Sequence, residues 1–284
     1  MIIFHTAAQL TSHLQLLKKK GLSVGFVPTM GALHQGHLSL IEQSRKIAGA
    51  TVASIFVNPT QFNNPADFEK YPNTIPRDIE LLLNAQCDVL FLPKVDEIYP
   101  NGTHQLPAYE LGFLETVLEG YYRPGHFQGV CQVMDRLLQV VQPDHLVMGL
   151  KDYQQCMVVR RLISLKQWQR HIQFHGCPTL REKDGLAMSS RNLRLTPEQR
   201  IKAVAVYEAL MMLKEQMKPG ALLLLKDQAK AYLQQHGFKV DYVEITDAAT
   251  LQPLNEWDGD QKLCALIAAF TGEIRLIDNM LLND

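Results

Sequence analysis

The chain has 284 residues, of which 46% are hydrophobic and 20% charged, and its formal net charge at pH 7 is −1. Such values are ordinary for a globular protein of one or two domains that buries a substantial core. A nearly neutral surface gives no broad electrostatic attraction for nucleic acid or anionic membranes, so we expect neither as a partner.

The five cysteines are odd in number, widely spread and without a C-x-x-C pair, so neither a disulfide framework nor a zinc site is predicted. The amino-terminal stretch MIIFHTAAQL lacks the basic start and long apolar core of a signal peptide, and no apolar run reaches the length of a membrane span. These features predict a cytoplasmic protein.

Short apolar runs alternate with helical patterns up to about residue 177, which is typical of β-α-β units on a parallel sheet. The predicted strands are LSVGFVP, TVASIFV, CDVLFLP, HLVMGL and HIQFHG. Apolar residues three and four positions apart predict helices in LSLIEQSRKIA, RDIELLLNAQ, GVCQVMDRLLQVVQ and DYQQCMVVRRLISLKQ. We therefore predict an α/β fold, with a Rossmann-like doubly wound parallel sheet in a nucleotide-binding domain at residues 1–177.

The pattern changes after residue 177, and residues 178–284 are predicted to form a smaller α+β domain. A long polar stretch, which contains a mobile Ser-Ser-Arg loop, precedes one helix predicted from Pro197 to Met217. A second helical pattern runs to His236. The segments FKVDYVEITDA and KLCALIAAFTGEIRLIDN then predict strands, with a hairpin turn at Thr271-Gly272.

The turn TMGALHQG follows the first predicted strand and leads into a helix predicted to begin near Gly36 or His37. A helix start offers unpaired N–H groups and the positive end of the helix dipole, which suit a phosphate. His34 and His37 lie on one side of that first turn, so both could donate hydrogen bonds to one phosphate group. The alternative is that one imidazole caps the turn and the other is solvated.

Three further loops carry polar side chains. In VNPTQF, Asn58 and Gln61 offer amides that suit a hydroxylated carboxylic acid, although Asn-Pro is also ordinary turn chemistry. In MGLKDYQQ, Lys151 is badly placed for the dipole of the following helix, which favours a bound anion, whereas Asp152 suits a helix cap or a ribose contact. In REKDGLAMSSRN, two serines and an arginine form a candidate phosphate clamp.

Together these stretches resemble the pantothenate synthetase (pantoate:beta-alanine ligase) family, in the nucleotidyltransferase superfamily with H-x-G-H signatures. The matching segments, in the family's order and spacing, are PTMGALHQGH, VNPTQF, YYRPGHFQGV, GLKDYQQ and PTLREKDGLAMSSRN. The resemblance implies an ATP-dependent ligase that condenses (R)-pantoate with beta-alanine through a pantoyl adenylate and releases AMP and pyrophosphate. It also implies Mg²⁺ bound with the nucleotide and a homodimer.

The resemblance further implies roles for individual residues. Catalytic roles fall to His34, His37, Lys151, Ser189, Ser190 and Arg191. ATP contacts fall to Met30, Gly31, Ala32, Leu33, His34, Gln35, Gly36, His37, Gly149, Leu150, Lys151, Asp152, Leu180, Met188, Ser189, Ser190 and Arg191. Pantoate contacts fall to Met30, Asn58, Gln61 and Gln155. The family usually carries Glu or Gln where this chain has Leu150, so we expect only a backbone contact there.

The sequence shows no H-E-x-x-H motif, no paired Cys/His ligand set and no nucleophile beside a base, so neither a protein-held metal nor a covalent enzyme intermediate is predicted. The nearest alternative is another H-x-G-H nucleotidyltransferase that acts on a small acid or a phosphorylated acceptor. A class I aminoacyl-tRNA synthetase is disfavoured by the small tail and the neutral charge. A catalytically inactive nucleotide sensor is the remaining alternative.

Overall fold

The structure is a computed structural model and describes residues 1–63 and 68–283. The chain divides into two compact units. The first unit comprises Met1–Leu150 and Gln154–Pro178, and the second comprises Lys151–Tyr153 and Thr179–Asp284. Three residues that the sequence places in the first domain, Lys151–Tyr153, thus cluster with the second unit.

The first unit contains a parallel sheet in the strand order β1-β4-β3-β2-β5-β6. Its strands are β1 (Ile2–Phe4), β2 (Val24–Thr29), β3 (Ala50–Ile55), β4 (Val89–Phe91), β5 (His145–Gly149) and β6 (Gln173–Cys177). The chain runs outwards from β2 to β3 and β4 on one side, and then from β5 to β6 on the other. Ligands of such sheets bind beyond the carboxyl ends of the strands at this reversal, which lies between β2 and β5.

Helices cover both faces of this sheet, which confirms the predicted Rossmann-like fold. They are α1 (Ala7–Lys19), α2 (Gln35–Ile47), α3 (Ile75–Asn84), α4 (Val95–Ile98), α5 (Leu118–Tyr122), α6 (His126–Val141) and α7 (Tyr153–Leu165), with single 3-10 turns at Pro59–Gln61, Gly112–Glu115, Leu150–Asp152 and Trp168–Arg170. Alternate strand residues enter two separate cores: Phe26 packs with α1, α6 and α7, whereas Val27 packs with α2 and α3. Strands buried on both faces explain the nearly continuous apolar runs in the sequence.

The second unit contains an antiparallel sheet in the order β11-β10-β8, which confirms the predicted α+β character of the tail. Its strands are β7 (Gly220–Ala221), β8 (Lys239–Asp247), β9 (Glu256–Trp257), β10 (Leu263–Thr271) and β11 (Ile274–Leu281), and β7 pairs only with β9 among the described strands. Its helices are α8 (Pro197–Lys202), α9 (Ala205–Gln216) and α10 (Leu223–Gln235), with a 3-10 helix at Ser190–Arg194. The predicted hairpin is confirmed, since β10 and β11 pair up to Thr271 and Ile274.

The single helix predicted from Pro197 to Met217 is wrong. Helix α8 ends at Lys202 and α9 begins at Ala205. Between them the chain tightens, because the Val206 N–H donates to the Ala203 carbonyl three residues back. Ala203 and Val206 are both buried in the core of the second unit, so their apolar pattern continues across the break and hides it.

Candidate functional site

The turn between β2 and α2 has two successive residues in the left-handed region, Gly31 with φ 84° and Ala32 with φ 49°. Glycine adopts this conformation at no steric cost, whereas alanine must be held in it by its surroundings. The Asp78 carboxylate supplies that support, because it accepts hydrogen bonds from the N–H groups of Ala32 (2.9 Å) and Leu33 (2.8 Å). Asp78 is 1% exposed and also accepts from the Thr74 hydroxyl.

The two histidines of the H-x-G-H turn cap helix α2. The His34 Nδ1 accepts from the Gly36 N–H (3.2 Å), and the His37 Nδ1 accepts from the His34 N–H (3.4 Å). Their rings lie together, with centroids 4.1 Å apart. A neutral imidazole that accepts at Nδ1 carries its proton on Nε2. Capping therefore uses the Nδ1 atom of each ring, and a phosphate contact by either histidine remains a prediction.

Helix α2 begins at Gln35, with His34 as its N-cap, slightly before the predicted start. Because the turn belongs to the loop that follows β2, the helix start lies at the carboxyl edge of the sheet, on one side of the reversal between β2 and β5. Leu150 begins the loop that follows β5 on the other side of this reversal. The sheet topology thus brings the H-x-G-H turn and the end of β5 to the place where ligands of such folds bind.

Asn58 and Gln61 lie in the turn after β3, where Asn58 is 1% exposed. The Asn58 Nδ2 donates to the Gln61 Oε1 (3.1 Å) and to the Gly129 carbonyl (3.0 Å), and its Oδ1 accepts from the Tyr99 hydroxyl (2.8 Å). The Gln61 Nε2 lies 3.1 Å from the Met30 sulfur. Both amide hydrogens of Asn58 are therefore donated to other residues of the protein, and one of these bonds fixes the Gln61 side chain.

Tyr99 and His126 also support this turn, although sequence reasoning gave neither an individual role. Burial raises the pKa of the Tyr99 hydroxyl above its ordinary value, and this hydroxyl donates to Asn58 Oδ1. The His126 Nδ1 donates to the Gln61 carbonyl (2.8 Å), and its Nε2 is 3.1 Å from Arg123 Nη1. The segment YYRPGHFQGV, which contains Arg123 and His126, is therefore the local scaffold of Gln61.

Gly129 lies on α6 directly against the same turn. An added Cβ at this position would overlap the Thr60 carbonyl and the backbone of Gln61. Only glycine allows the helix and the turn to approach this closely.

Gln155 and Leu150 complete the predicted residues near the end of β5. Gln155 on α7 is partly exposed, and its side chain makes no hydrogen bond within residues 1–63 and 68–283. The Leu150 side chain packs on the backbone of Gly176, where an added Cβ would lie 2.8 Å from it. The predicted backbone contact of Leu150 with the nucleotide remains a prediction.

In the second unit, a small pocket collects several of the predicted residues. Its lining includes Lys151, Ser189, Arg191, Arg275 and Asp278. The Lys151 Nζ is 4.0 Å from the half-exposed Asp152 carboxylate, which is a long and weak ion pair. The pocket therefore combines three cationic side chains and a serine hydroxyl with one carboxylate, Asp278, which is already paired with Arg181. Such a set suits an anion.

The Ser-Ser-Arg segment is anchored at its amino-terminal end. Ser189 caps the 3-10 helix, since its hydroxyl accepts from the Arg191 N–H (3.3 Å). The Met188 N–H donates to the Leu180 carbonyl (3.0 Å), and Arg181 pairs with Ala187 in an isolated bridge. The long polar stretch thus contains a tight hairpin from Leu180 to Met188.

The predicted site residues divide between the two units. The first unit holds Met30, Gly31, Ala32, Leu33, His34, Gln35, Gly36, His37, Asn58, Gln61, Gly149, Leu150 and Gln155, and the second holds Lys151, Asp152, Leu180, Met188, Ser189, Ser190 and Arg191. Among the described residues, no group of three or more His, Cys, Asp or Glu side chains is arranged to hold a metal ion, and no helix is long and apolar enough to cross a membrane.

Comparison with known proteins identifies the family. The model of the pantoate-beta-alanine ligase family matches residues 2–281 of the chain. The chain belongs to this family. The matched range includes every segment that we assigned to the candidate site, so the H-x-G-H turn, Gln61, Lys151 and the Ser-Ser-Arg segment all lie within the pantoate-beta-alanine ligase match.

Individual members of the pantoate-beta-alanine ligase family resemble the chain over its whole length. The pantothenate synthetase of Cytophaga hutchinsonii is 44% identical, with 99% of each chain covered. The crystal structure of pantothenate synthetase from Thermus thermophilus has a TM-score of 0.90 at 41% identity and full coverage of both chains. A pantoate-beta-alanine ligase from Francisella tularensis, complexed with beta-gamma ATP and beta-alanine, has a TM-score of 0.81 at 38% identity, with 99% and 98% covered.

Proposed function

We propose that this chain condenses pantoate with beta-alanine at the expense of ATP, through a pantoyl adenylate. The observation that carries the proposal is the family match over residues 2–281. The Francisella tularensis relative, which was solved with a form of ATP and beta-alanine, supports the same substrates. The H-x-G-H turn, at the start of α2 and the carboxyl edge of the sheet, supports ATP as the reactant that supplies the phosphates.

In the first step, a pantoate carboxylate oxygen attacks the α-phosphorus of ATP. A P–O bond forms to the acid, and the bond to the β-phosphate oxygen breaks with release of pyrophosphate. Negative charge grows on the phosphate oxygens during this transfer, so fixed donors accelerate it. We propose this role for His34 and His37 and for the first N–H groups of α2.

In the second step, the amine of beta-alanine attacks the acyl carbon of the adenylate. An amide bond forms, the C–O bond to AMP breaks, and the amine loses one proton as AMP leaves. We propose that the protein accelerates this step mainly by positioning the two reactants, because holding them together lowers the entropic part of the barrier.

For ATP we propose the contacts that the family resemblance implies. They are Met30 to His37, Gly149, Leu150, Lys151, Asp152, Leu180 and Met188 to Arg191. Lys151, Ser189, Ser190 and Arg191 supply cationic and hydroxyl donors for the phosphates. For pantoate we propose Gln61, Gln155 and Met30 as contacts, with Asn58 acting through its hydrogen bond to Gln61.

We propose that Mg²⁺ enters with ATP, bound to its phosphates. Mg²⁺ commonly keeps several waters and binds substrate phosphates in place of an all-protein cage. We also propose a homodimer in the cytoplasm. The dimer rests on the family resemblance, and the cytoplasm on five free cysteines, which suit a reducing compartment.

The decisive experiment is exchange of labelled pyrophosphate into ATP with pantoate and Mg²⁺ present and beta-alanine absent. The adenylate pathway makes pyrophosphate before the amine is needed, so we expect exchange under these conditions. Pantothenate and AMP should then form in equal amounts once beta-alanine is added. An H-x-G-H nucleotidyltransferase that stops at the nucleotidyl product would release no AMP, and an inactive nucleotide sensor would show neither reaction.

A further inference from the structure

The main chain of Lys151 is tied to strand β11 by one hydrogen bond. The Asn279 Nδ2 donates to the Lys151 carbonyl oxygen at 2.7 Å. Asn279 is 8% exposed and lies in the middle of the β10–β11 ladder, opposite Leu266. A short hydrogen bond from a buried strand residue fixes where the backbone of Lys151 lies, and hence where its long side chain starts.

The neighbouring residue, Asp278, fixes Asn279 in turn. The Asp278 Oδ1 accepts from the Asn279 N–H (2.8 Å) and from Arg181 Nη2 (3.1 Å), while its Oδ2 accepts from Arg181 Nη1 (2.6 Å). The Asp278 side chain is 4% exposed. Burial raises the pKa of Asp278, and the hydrogen bonds and charge of Arg181 act in the opposite direction. A bidentate pair of this kind sets geometry in two dimensions, which a lysine could not do.

Arg181 links Asp278 and Asn279 to the hairpin that precedes the Ser-Ser-Arg segment. Its guanidinium donates to the carbonyls of Gly185 (3.0 Å) and Asn279 (3.2 Å), and its Cζ lies 4.9 Å from the centre of the Tyr207 ring. Arg181 also pairs with Ala187 across the hairpin that leads directly into Met188 and Ser189. The guanidinium thus joins the base of the Ser-Ser-Arg segment to β11.

We infer that Arg181, Asp278 and Asn279 are positioning residues that hold Lys151 and the Ser-Ser-Arg segment in the arrangement that binds the phosphates of ATP. The inference rests on the proposed function. Its support is that one network bonds both the main chain of Lys151 and the hairpin that leads into the Ser-Ser-Arg segment, and that Lys151, Ser189, Arg191 and Asp278 line one pocket. A buried ion pair is weak evidence for stability alone, because desolvation offsets most of its attraction. A role in fixing the position of Asn279 and of the hairpin explains the buried Arg181–Asp278 pair better than a gain in stability does.

The first test compares Asn279→Ala with Glu244→Gln. Glu244 forms a similarly short ion pair with the buried Lys226 in the same unit. Lys226 also donates to Leu254 and Asn255, none of which we assign to the candidate site. Glu244 therefore provides a matched structural control. We expect Asn279→Ala to lower pantoate-dependent pyrophosphate exchange roughly 10- to 100-fold, since misplacement of a group by about 1 Å can cost as much. The loss should include a higher KM for ATP, whereas Glu244→Gln should lose thermal stability without this kinetic change.

The second test separates positioning from general loosening of the fold. Asn279→Ala and Lys151→Ala are combined, and the exchange rates are analysed as a double-mutant cycle. If Asn279 acts by placing the lysine, its loss costs little once the amine is already gone, so the effects are strongly non-additive. Arg181→Lys keeps the positive charge but loses the bidentate geometry, so this variant should show a lower rate of pyrophosphate exchange than the unmodified protein.

The outcomes distinguish this inference from the proposed function. An unmodified protein without any exchange would overturn the proposed function and this inference with it. An active unmodified protein, with Asn279→Ala no slower than Glu244→Gln, would overturn the inference alone. Additive losses in the double variant would also overturn it, since they would mean that Asn279 acts independently of Lys151.

Discussion

Asp78 and Ala32 are 46 positions apart in the chain, yet the carboxylate of one accepts the backbone N–H of the other at 2.9 Å. This bond stabilises a left-handed alanine just before the H-x-G-H helix start. A carboxylate accepts at both oxygens, as the two neighbouring N–H groups of Ala32 and Leu33 require. An asparagine would present an NH₂ group to one of them.

We therefore expect Asp78→Asn to destabilise the protein by about 1 to 3 kcal/mol, the cost of leaving one buried donor unpaired. Exchange of pyrophosphate should fall as well, because the turn before His34 loses its support. Thermal unfolding and the exchange assay measure the two effects. Asp184→Asn, at a solvent-accessible pair with Arg200, is the control and should leave both nearly unchanged. Equal behaviour of the two variants would contradict the role of Asp78.

The second prediction separates the two uses of His34. His34→Ala removes the cap and the phosphate donor together, so it should cost about 0.5 to 2 kcal/mol of stability through the cap. Asparagine is among the best N-cap residues, so His34→Asn should recover stability. Both variants, and His37→Ala, should lower adenylate formation about 10²- to 10³-fold, as loss of one donor to developing charge does. A fully active His34→Asn would leave capping as the sole role of that ring.

The third prediction concerns the binding of pantoate. Gln155→Ala should weaken pantoate binding by about 1 to 3 kcal/mol, the cost of leaving a polar group of the bound acid without its hydrogen-bond partner. It should not change thermal stability, because this side chain makes no hydrogen bond within the described part of the protein. Gln61→Ala should weaken pantoate binding similarly but also lower stability, since Asn58 loses its partner. Calorimetry with pantoate and with ATP decides the matter: abolished ATP binding with unchanged pantoate binding would contradict the assignment.

The fourth prediction concerns Lys151. Lys151→Ala should suppress pyrophosphate exchange roughly 10- to 100-fold, the worth of a hydrogen bond to a charged group. The step from adenylate to amide should change less, because the pyrophosphate has already left by then. Single-turnover reaction of prepared pantoyl adenylate with beta-alanine measures this second step alone. An equal loss in both steps would show that the lysine is not specific to the charge on the phosphates.

The fifth prediction follows from the thiols. Burial raises the pKa of Cys87 to about 11 and the pKa values of Cys131 and Cys264 to about 12, so their thiolate fractions at pH 8 are very small. Cys177 is only partly buried, although its pKa is also raised. Iodoacetamide at pH 8 should therefore alkylate Cys177 first, and Cys87, Cys131 and Cys264 only on unfolding. Mass spectrometry of timed samples would contradict this if Cys87 reacted as fast as Cys177.

Much of the first unit could be predicted because its central strands are buried on both faces and leave apolar runs in the sequence. Strand β1 was missed, since three residues are too few to show a period. Helix α1 was not assigned either, and its weakly apolar face buries only Leu10 and Leu14. The break between α8 and α9 was hidden by apolar residues on both sides of it.

The candidate site was predictable where its residues are contiguous, as in the H-x-G-H turn. The residues that support the candidate site through hydrogen bonds were not predictable, because each lies far along the chain from its partner. Asp78 stands on α3 in an ordinary-looking helical pattern, and Asn279 is one polar residue in a strand 128 positions from Lys151. A long-range hydrogen bond leaves no periodicity, and only the folded backbone reveals it.

The glycine at position 129 has a consequence for how the proposed pantoate contact of Gln61 could be altered. Helix α6 and the Thr60-Gln61 turn touch at this position, so their separation is set by a missing methyl group. A larger residue at 129 would push the turn away from the helix and carry the Gln61 amide with it. A residue that we assign to no ligand therefore helps to set where the Gln61 amide lies. The position of this amide is as much a property of the helix contact as of the glutamine itself.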